Sequence, residues 1–142
     1  MTSFAADSDV LNNTATRQPL KGIDGIYVIN LDRRPDRLQS FKERSGLGDA
    51  DFHRLSAVDG KTLTWSQDIH YLFRQNRFKW HAARIGCALS HYTLYQHIAS
   101  TEDELHLVLE DDAQFIDNWM DVWNSKMFDH LPADAFVSNQ FS

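Results

Sequence analysis

Three consecutive carboxylates, Glu110-Asp111-Asp112, close a short apolar run, Leu105-His106-Leu107-Val108-Leu109. Like charges this close repel one another, so a chain that places them at a strand end needs a neutralising partner. Hard oxygen donors of this kind suit Mg²⁺ or Mn²⁺, held by one or two carboxylates together with phosphate oxygens. Two other readings stay open on the residues alone: one acid acting as a general base, or a solvated acidic turn that caps the next helix. A complementary group, Asn30, Asp32, Arg33, Arg34 and Arg37, leaves a second apolar run. Guanidinium groups match phosphate oxygens in geometry and charge, and Asn30 and Asp32 suit a base or a ribose. The plain alternative is a helix start with surface arginines. Ser90-His91 is not a nucleophile and its base, because adjacent helical side chains diverge by about 100°. On their own His91 reads as a hydrogen-bonded core residue and Cys87 as a packed thiol. No Cys or His spacing resembles a zinc site, and neither a Gly-x-Gly-x-x-Gly loop nor a Walker pattern follows a strand. The tryptophans Trp65, Trp80, Trp119 and Trp123 could stack on a sugar, although Trp more often packs in a core.

These residues need elements to position them. Ile26-Tyr27-Val28-Ile29-Asn30-Leu31, introduced by Gly22 and Gly25, has the β-branched composition of a buried strand. A helix should follow, with Pro35 in its first turn, Asp32 and Asp36 near its N-terminus, Leu38, Phe41 and Lys42 on one face, and Gly46 and Gly48 ending it. Phe52 to Val58 reads as a second strand ending at the Asp59-Gly60 turn. From Ala82 to Ala99, Ile85, Ala88, Leu89, Tyr92, Tyr95 and Ile98 recur at helical spacing. Leu105 to Leu109 is a third strand, Asp117 is placed to cap a helix carrying Trp119 and Trp123, and Ala135-Phe136-Val137 starts a fourth strand. Strands alternating with helices imply an α/β fold with a mainly parallel sheet. In such sheets ligands bind beyond the carboxyl ends of strands, where both charged groups would sit.

The composition is that of an ordinary soluble protein: 142 residues, 42% hydrophobic and 24% charged, with six Gly and three Pro. It excludes collagen-like, wholly disordered and disulfide-scaffold classes. Cys87 is the single cysteine, which rules out an internal disulfide and fits a reducing compartment. No window reaches the roughly 20 apolar residues of a bilayer crossing, and Met1 to Lys21 lacks the pattern of a secretion signal. Residues 1–21 read as a flexible tail and residues 22–142 as one domain. Charge is uneven: residues 1–100 carry 13 Lys and Arg against 10 Asp and Glu, residues 101–142 one against 10. Between Ile69 and Thr101 there is no acid, while Arg74, Arg77, Lys79 and Arg84 supply four cations. Such a pairing of basic and acidic stretches suits an anionic ligand bound with a divalent cation, or simply two solvated faces.

Four segments taken together resemble glycosyltransferase family 25, which includes bacterial lipooligosaccharide galactosyltransferases and collagen β-galactosyltransferases. They are Ile26 to Arg37, Ala57-Val58-Asp59-Gly60, Gly86-Cys87-Ala88-Leu89-Ser90-His91, and Val108-Leu109-Glu110-Asp111-Asp112-Ala113. Each is weak alone; the ordered set is specific, and it covers about residues 25–115, with a fainter match to the chain end. The resemblance implies a type A glycosyltransferase-like nucleotide-binding sandwich and inverting transfer of a sugar, typically galactose from UDP-galactose, to a lipooligosaccharide-type oligosaccharide or glycolipid acceptor. By it, Glu110-Asp111-Asp112 is the metal and nucleotide motif, with Asp112 the direct Mn²⁺ (or Mg²⁺) ligand, Glu110 directed to metal water or ribose, and Asp111 beside the substrate. Asn30, Asp32 and Arg33 would line the nucleotide pocket with Arg37 in support, Asp59 would touch the uracil or ribose or fix its turn, and Ser90 and His91 would lie between donor contact and core. Members of the family continue well beyond the acidic motif and supply their catalytic base there, whereas this chain stops 30 residues after Asp112. The expectation is therefore a partial domain, the donor-binding half, cytoplasmic or peripheral at the inner membrane face, with no nucleic-acid partner and a shortened sheet that could pair in a homodimer. The alternative is a non-catalytic subunit that keeps the fold. A phosphoacceptor receiver domain fits poorly, because its acid pair follows the first strand and this first strand ends in Asn30-Leu31-Asp32.

Overall fold

The computed structural model describes residues 11–13, 15–75 and 81–131. The strand expected at Ala135-Phe136-Val137 lies outside them, as do Arg77, Lys79 and Trp80. The elements run β1 (Leu11–Asn13), β2 (Gly25–Asn30), α1 (Pro35–Ser45), β3 (His53–Ser56), a 3₁₀ turn (Gly60–Thr62), α2 (Gln67–Leu72), α3 (Ala82–Ala99), β4 (His106–Glu110) and α4 (Trp119–Val122), which continues as a π turn (Trp123–Met127) and a 3₁₀ turn (Phe128–His130). The sheet order is β1-β3-β2-β4, with β2 parallel to both β3 and β4 and β1 antiparallel at the β3 edge. This is the α/β architecture with a mainly parallel sheet that the alternation of elements predicts.

Every residue of β2 is buried, as a central strand flanked on both edges and covered on both faces requires. Its side chains alternate between two cores. Ile26 and Val28 join Phe41 of α1, Leu47, Phe52 and Leu109 in one, and Trp119, Met120 and Trp123 pack against it. Tyr27 and Ile29 join Leu55 and Leu94 of α3 in the other. Helices therefore cover both faces. Phe41 and Phe52 meet edge to face at 5.8 Å and 87°, an arrangement worth about 0.5–1.5 kcal/mol beyond the burial itself. Trp119 and Trp123 belong to this packing, since their ring N–H groups donate to the Ser45 and Lys21 carbonyls.

α1 starts on Pro35 and ends on Gly46, whose φ of 75° lets its N–H bond the Lys42 carbonyl. α3 has the expected bounds but a different buried face: Ile85, Gly86, Leu89, Ser90, Thr93 and Leu94 point inward, and Tyr95 is 54% exposed. The helix sorts its faces by closeness of approach, so small Gly86, Ser90 and Thr93 take positions that an aromatic could not. A Cβ on Gly86 would stand 2.8 Å from the Val58 carbonyl oxygen and 2.9 Å from the Gly60 nitrogen. Asp117 does not cap α4; Asn118 occupies that position in left-handed conformation (φ 60°) without a side-chain cap bond. The described part of residues 1–21, the stretch read as a flexible tail, makes contacts with the domain. Leu11–Asn13 pairs with β3, Thr16 and Arg17 donate backbone hydrogen bonds to the Ala50 carbonyl, and Leu20 is 2% exposed in the core. No described helix is long and apolar enough to cross a membrane.

Candidate functional site

Because β2, β3 and β4 are parallel, Asn30, Ser56 and Glu110 leave the sheet at one edge; the register pairs Asn30 with Ser56 and Ile29 with Glu110. The two charged groups singled out in the sequence meet there. Asn30, 2% exposed, donates from Nδ2 to Asp111 Oδ2 at 2.7 Å and to the Arg34 carbonyl at 3.1 Å. Arg37, in the first turn of α1, lies 2.7 Å from Asp111 Oδ1 and 3.6 Å from Asp112 Oδ2. Arg44 on the same helix donates to the Asp111 and Ala113 carbonyls at 2.8 and 3.2 Å, tying the acidic turn to α1.

The three acids point three ways. Period-two alternation along β4 sends Leu107 and Leu109 to the α1 face and Val108 to the α3 face, so Glu110 also faces α3. There its Oε1 accepts the Cys87 thiol at 3.1 Å and meets His91 Nε2 at 3.2 Å. The His91 contact, followed in effect by the thiol bond, holds the Glu110 carboxyl down to about 2 against the burial that opposes it. Asp111 turns inward and is 7% exposed. Asp112 turns outward with a side chain 60% exposed.

The remaining candidates divide in the same way. Asp32 accepts Arg54 at 2.7 Å and the Ser56 hydroxyl at 2.7 Å, and these bonds, Arg54 first, hold its carboxyl below the usual range. Arg33 pairs with Asp59 at 2.6 Å, which lowers the Asp59 carboxyl, and Asp59 also accepts the Lys61 N–H at 3.0 Å at the start of the 3₁₀ turn. Ser90 Oγ accepts the Val58 N–H at 2.8 Å and donates to the Gly86 carbonyl at 2.9 Å. Ser90 thus docks α3 onto the Ala57 to Gly60 loop, and the structure brings it to that loop rather than to the acids. His91 is a half-buried residue at the rim, not a core histidine, and Cys87 is exposed, not a packed thiol. Although Cys87 as a whole is exposed, its thiol is turned against Glu110, and desolvation there first and the Glu110 hydrogen bond second push it up to about 12.

Two functional-looking residues were missed in the sequence. Arg54 holds Asn30 Oδ1 (2.9 Å), the Asn30 carbonyl (3.1 Å) and Asp32 together; its signal was a lone cation at an alternating strand position. Arg44 gave no signal beyond its place in the last turn of α1.

Asp112, with an exposed carboxylate, and Glu110 Oε2, which has no hydrogen bond among the described residues, are the oxygen donors left open to a divalent cation, and carboxylate oxygens suit Mn²⁺ or Mg²⁺ completed by water and phosphate. Asp111 is committed to Asn30 and Arg37.

Three parallel strands covered by helices, with an acidic strand end at the carboxyl edge, define a Rossmann-like glycosyltransferase fold. Residues 23–141 match the sequence model of Glycosyltransferase family 25 (LPS biosynthesis protein), and the chain belongs to that family. It is similar to a protein of Acanthamoeba polyphaga mimivirus named as a glycosyltransferase, 34% identical over 79% of this chain and 36% of that one. Human procollagen galactosyltransferase 2 is 36% identical over 66% of this chain and 16% of its own. The mouse protein named inactive glycosyltransferase 25 family member 3 is 30% identical over 69% of this chain and 18% of its own. The chain thus spans about a third of the viral relative and less than a fifth of the two animal ones. No solved structure matches it.

Proposed function

We propose that this chain is the donor-binding part of a metal-assisted sugar transferase that takes a nucleoside diphosphate sugar, UDP-galactose by family, and passes galactose to an oligosaccharide or glycolipid acceptor. The observation that carries the reading is the junction at the sheet edge: Asn30 and Arg37 from the β2 side contact the acidic turn of β4. In this reading Asp112 and Glu110 hold Mn²⁺ or Mg²⁺, which supplies neutralising charge for the departing diphosphate. Arg33, 44% exposed on its pair with Asp59, is positioned to exchange that carboxylate for a phosphate oxygen, leaving Asp59 for the ribose or base. Arg54 and Asn30 fix Asp32 at the nucleotide end of the rim, and Arg37 keeps the acidic turn in place. Ser90 acts by holding the Asp59 loop against α3, and His91 by orienting Glu110.

Thermal unfolding of the chain with UDP, with and without Mn²⁺, tests this. A ligand at 100 times its dissociation constant stabilises by about 2.7 kcal/mol, so UDP should raise the melting temperature clearly more with Mn²⁺ than without. Asp112→Ala should erase the difference. Equal shifts in wild type and variant refute the reading. A second reading, a non-catalytic subunit, is favoured by the similarity to a relative named inactive; UDP-galactose hydrolysis or transfer above background by the purified chain excludes it.

A further inference from the structure

Cys87 and His91 stand one turn apart on the same face of α3, and β4 delivers Glu110 between them. Cys87 Sγ, His91 Nε2 and a Glu110 carboxylate oxygen all lie within 4.8 Å of one another, with the two contacts to Oε1 at 3.1 and 3.2 Å. A tetrahedral zinc site with Zn–S of about 2.3 Å and Zn–N or Zn–O of about 2.0 Å separates its ligand atoms by roughly 3.3–3.6 Å. Small side-chain rotations convert one arrangement into the other. The geometry points to a three-ligand Zn²⁺ site formed by Cys87, His91 and Glu110, distinct in donor chemistry from the all-oxygen rim at Asp112.

Three features favour this over a plain hydrogen-bonded cluster. Thiolate, imidazole and carboxylate are the mixed donor set that selects Zn²⁺ over Mg²⁺ or Mn²⁺. Tyr95 Oη lies 3.4 Å from His91 Nδ1, so it can accept that ring proton and leave Nε2 free to ligate, as an outer-shell acceptor does for a metal-bound histidine. Cys87 is exposed, so the fourth position opens to solvent, as in exchangeable or reactive zinc sites and unlike closed structural ones. The i, i+4 Cys–His pair showed no zinc signature in the sequence because its third ligand arrives from a strand 19 residues later. The site stands whether or not the chain transfers sugar.

Titrating the whole chain with Co²⁺ as a spectroscopic substitute for Zn²⁺ decides the matter. The expected result is one thiolate-bound Co²⁺ per chain, read from the saturation of a thiolate-to-cobalt charge-transfer band and displaced by Zn²⁺. Cys87 is the sole cysteine, so the band can come from no other residue. Cys87→Ser should abolish the band, and Cys87→Ser and His91→Ala should each weaken Zn²⁺ binding by at least about tenfold, while Asp112→Asn leaves the band unchanged. Metal-free melting curves of the variants, matched to wild type, show that the fold is kept. No charge-transfer band in the wild type, Zn²⁺ affinity unchanged in Cys87→Ser, or one Co²⁺ shared by two chains would overturn the proposal.

Discussion

Replacing Asn30 separates the structural acid from the exposed one. Asn30 and Asp111 are 2% and 7% exposed, and their 2.7 Å bond joins a neutral amide to a carboxylate out of water. A hydrogen bond to a charged group contributes about 1.5–3 kcal/mol, and an unpaired buried group costs a similar amount. In Asn30→Ala, Asp111 keeps Arg37 at 2.7 Å, which limits the loss, but Arg54 gives up two bonds to Asn30 Oδ1. The net expectation is a destabilisation of about 2–4 kcal/mol. A double-mutant cycle with Asp111→Ala should return a coupling of about 1.5–3 kcal/mol. Asp112→Ala, by contrast, should fall within about 0.5 kcal/mol of wild type, since its side chain is 60% exposed and its Arg37 contact is 3.6 Å. Urea unfolding followed by circular dichroism, with the slope compared across variants, measures all three. A coupling near zero, or Asp112→Ala costing as much as Asp111→Ala, would refute the division of roles.

Gly86→Ala would drive a Cβ to within 2.8 Å of the Val58 carbonyl and 2.9 Å of the Gly60 nitrogen, backbone on both counts; a loss of about 1–3 kcal/mol is expected by urea unfolding. Ser90→Ala strips the Val58 N–H of its 2.8 Å acceptor and should cost about 1–3 kcal/mol by urea unfolding. The Asp24 carboxylate accepts the Leu105 and Glu104 N–H groups, which lower it from its ordinary 3.8. A depressed carboxyl contributes stability that is present above pH ~4 and lost as pH falls through the lowered value. Asp24→Asn should therefore unfold at lower urea than wild type at pH 7, and the gap should start to close only as pH falls below about 4.

The strands and helices that carry a single strong pattern were legible in the sequence. Ile26 to Asn30 could only be a central strand, because a continuous β-branched run has no polar face to offer water. α3 has the bounds expected of it because eighteen residues without Gly or Pro interruption other than Gly86 leave little choice. The inward face of α3 was not legible, since what decides it is the close approach of the Ala57 to Gly60 loop, a tertiary fact to which Gly86 and Ser90 are adapted. β1 was not legible either: a three-residue edge strand is held by backbone bonds to β3, and side-chain periodicity has no room to appear in so short a piece.

The acidic triplet shows most clearly what a sequence hides. Glu110, Asp111 and Asp112 are equivalent as letters, yet they separate because the strand ends between the first and the second. While β4 lasts, alternation fixes Glu110 toward α3, where Cys87 and His91 receive it. Once the chain leaves the sheet, the Ala113 N–H bonds back to the Glu110 carbonyl at 3.1 Å, and this tight turn rolls Asp111 under Arg37 and leaves Asp112 on the outside. Repulsion within the triplet is thereby eased before any ion arrives: Arg37 neutralises Asp111, which Asn30 also hydrogen-bonds, and Glu110 turns away toward Cys87 and His91. Asp112, 60% exposed and reached by Arg37 only at 3.6 Å, holds the most loosely paired charge of the three, and for that reason its removal should abolish metal-dependent nucleotide binding while leaving stability nearly untouched.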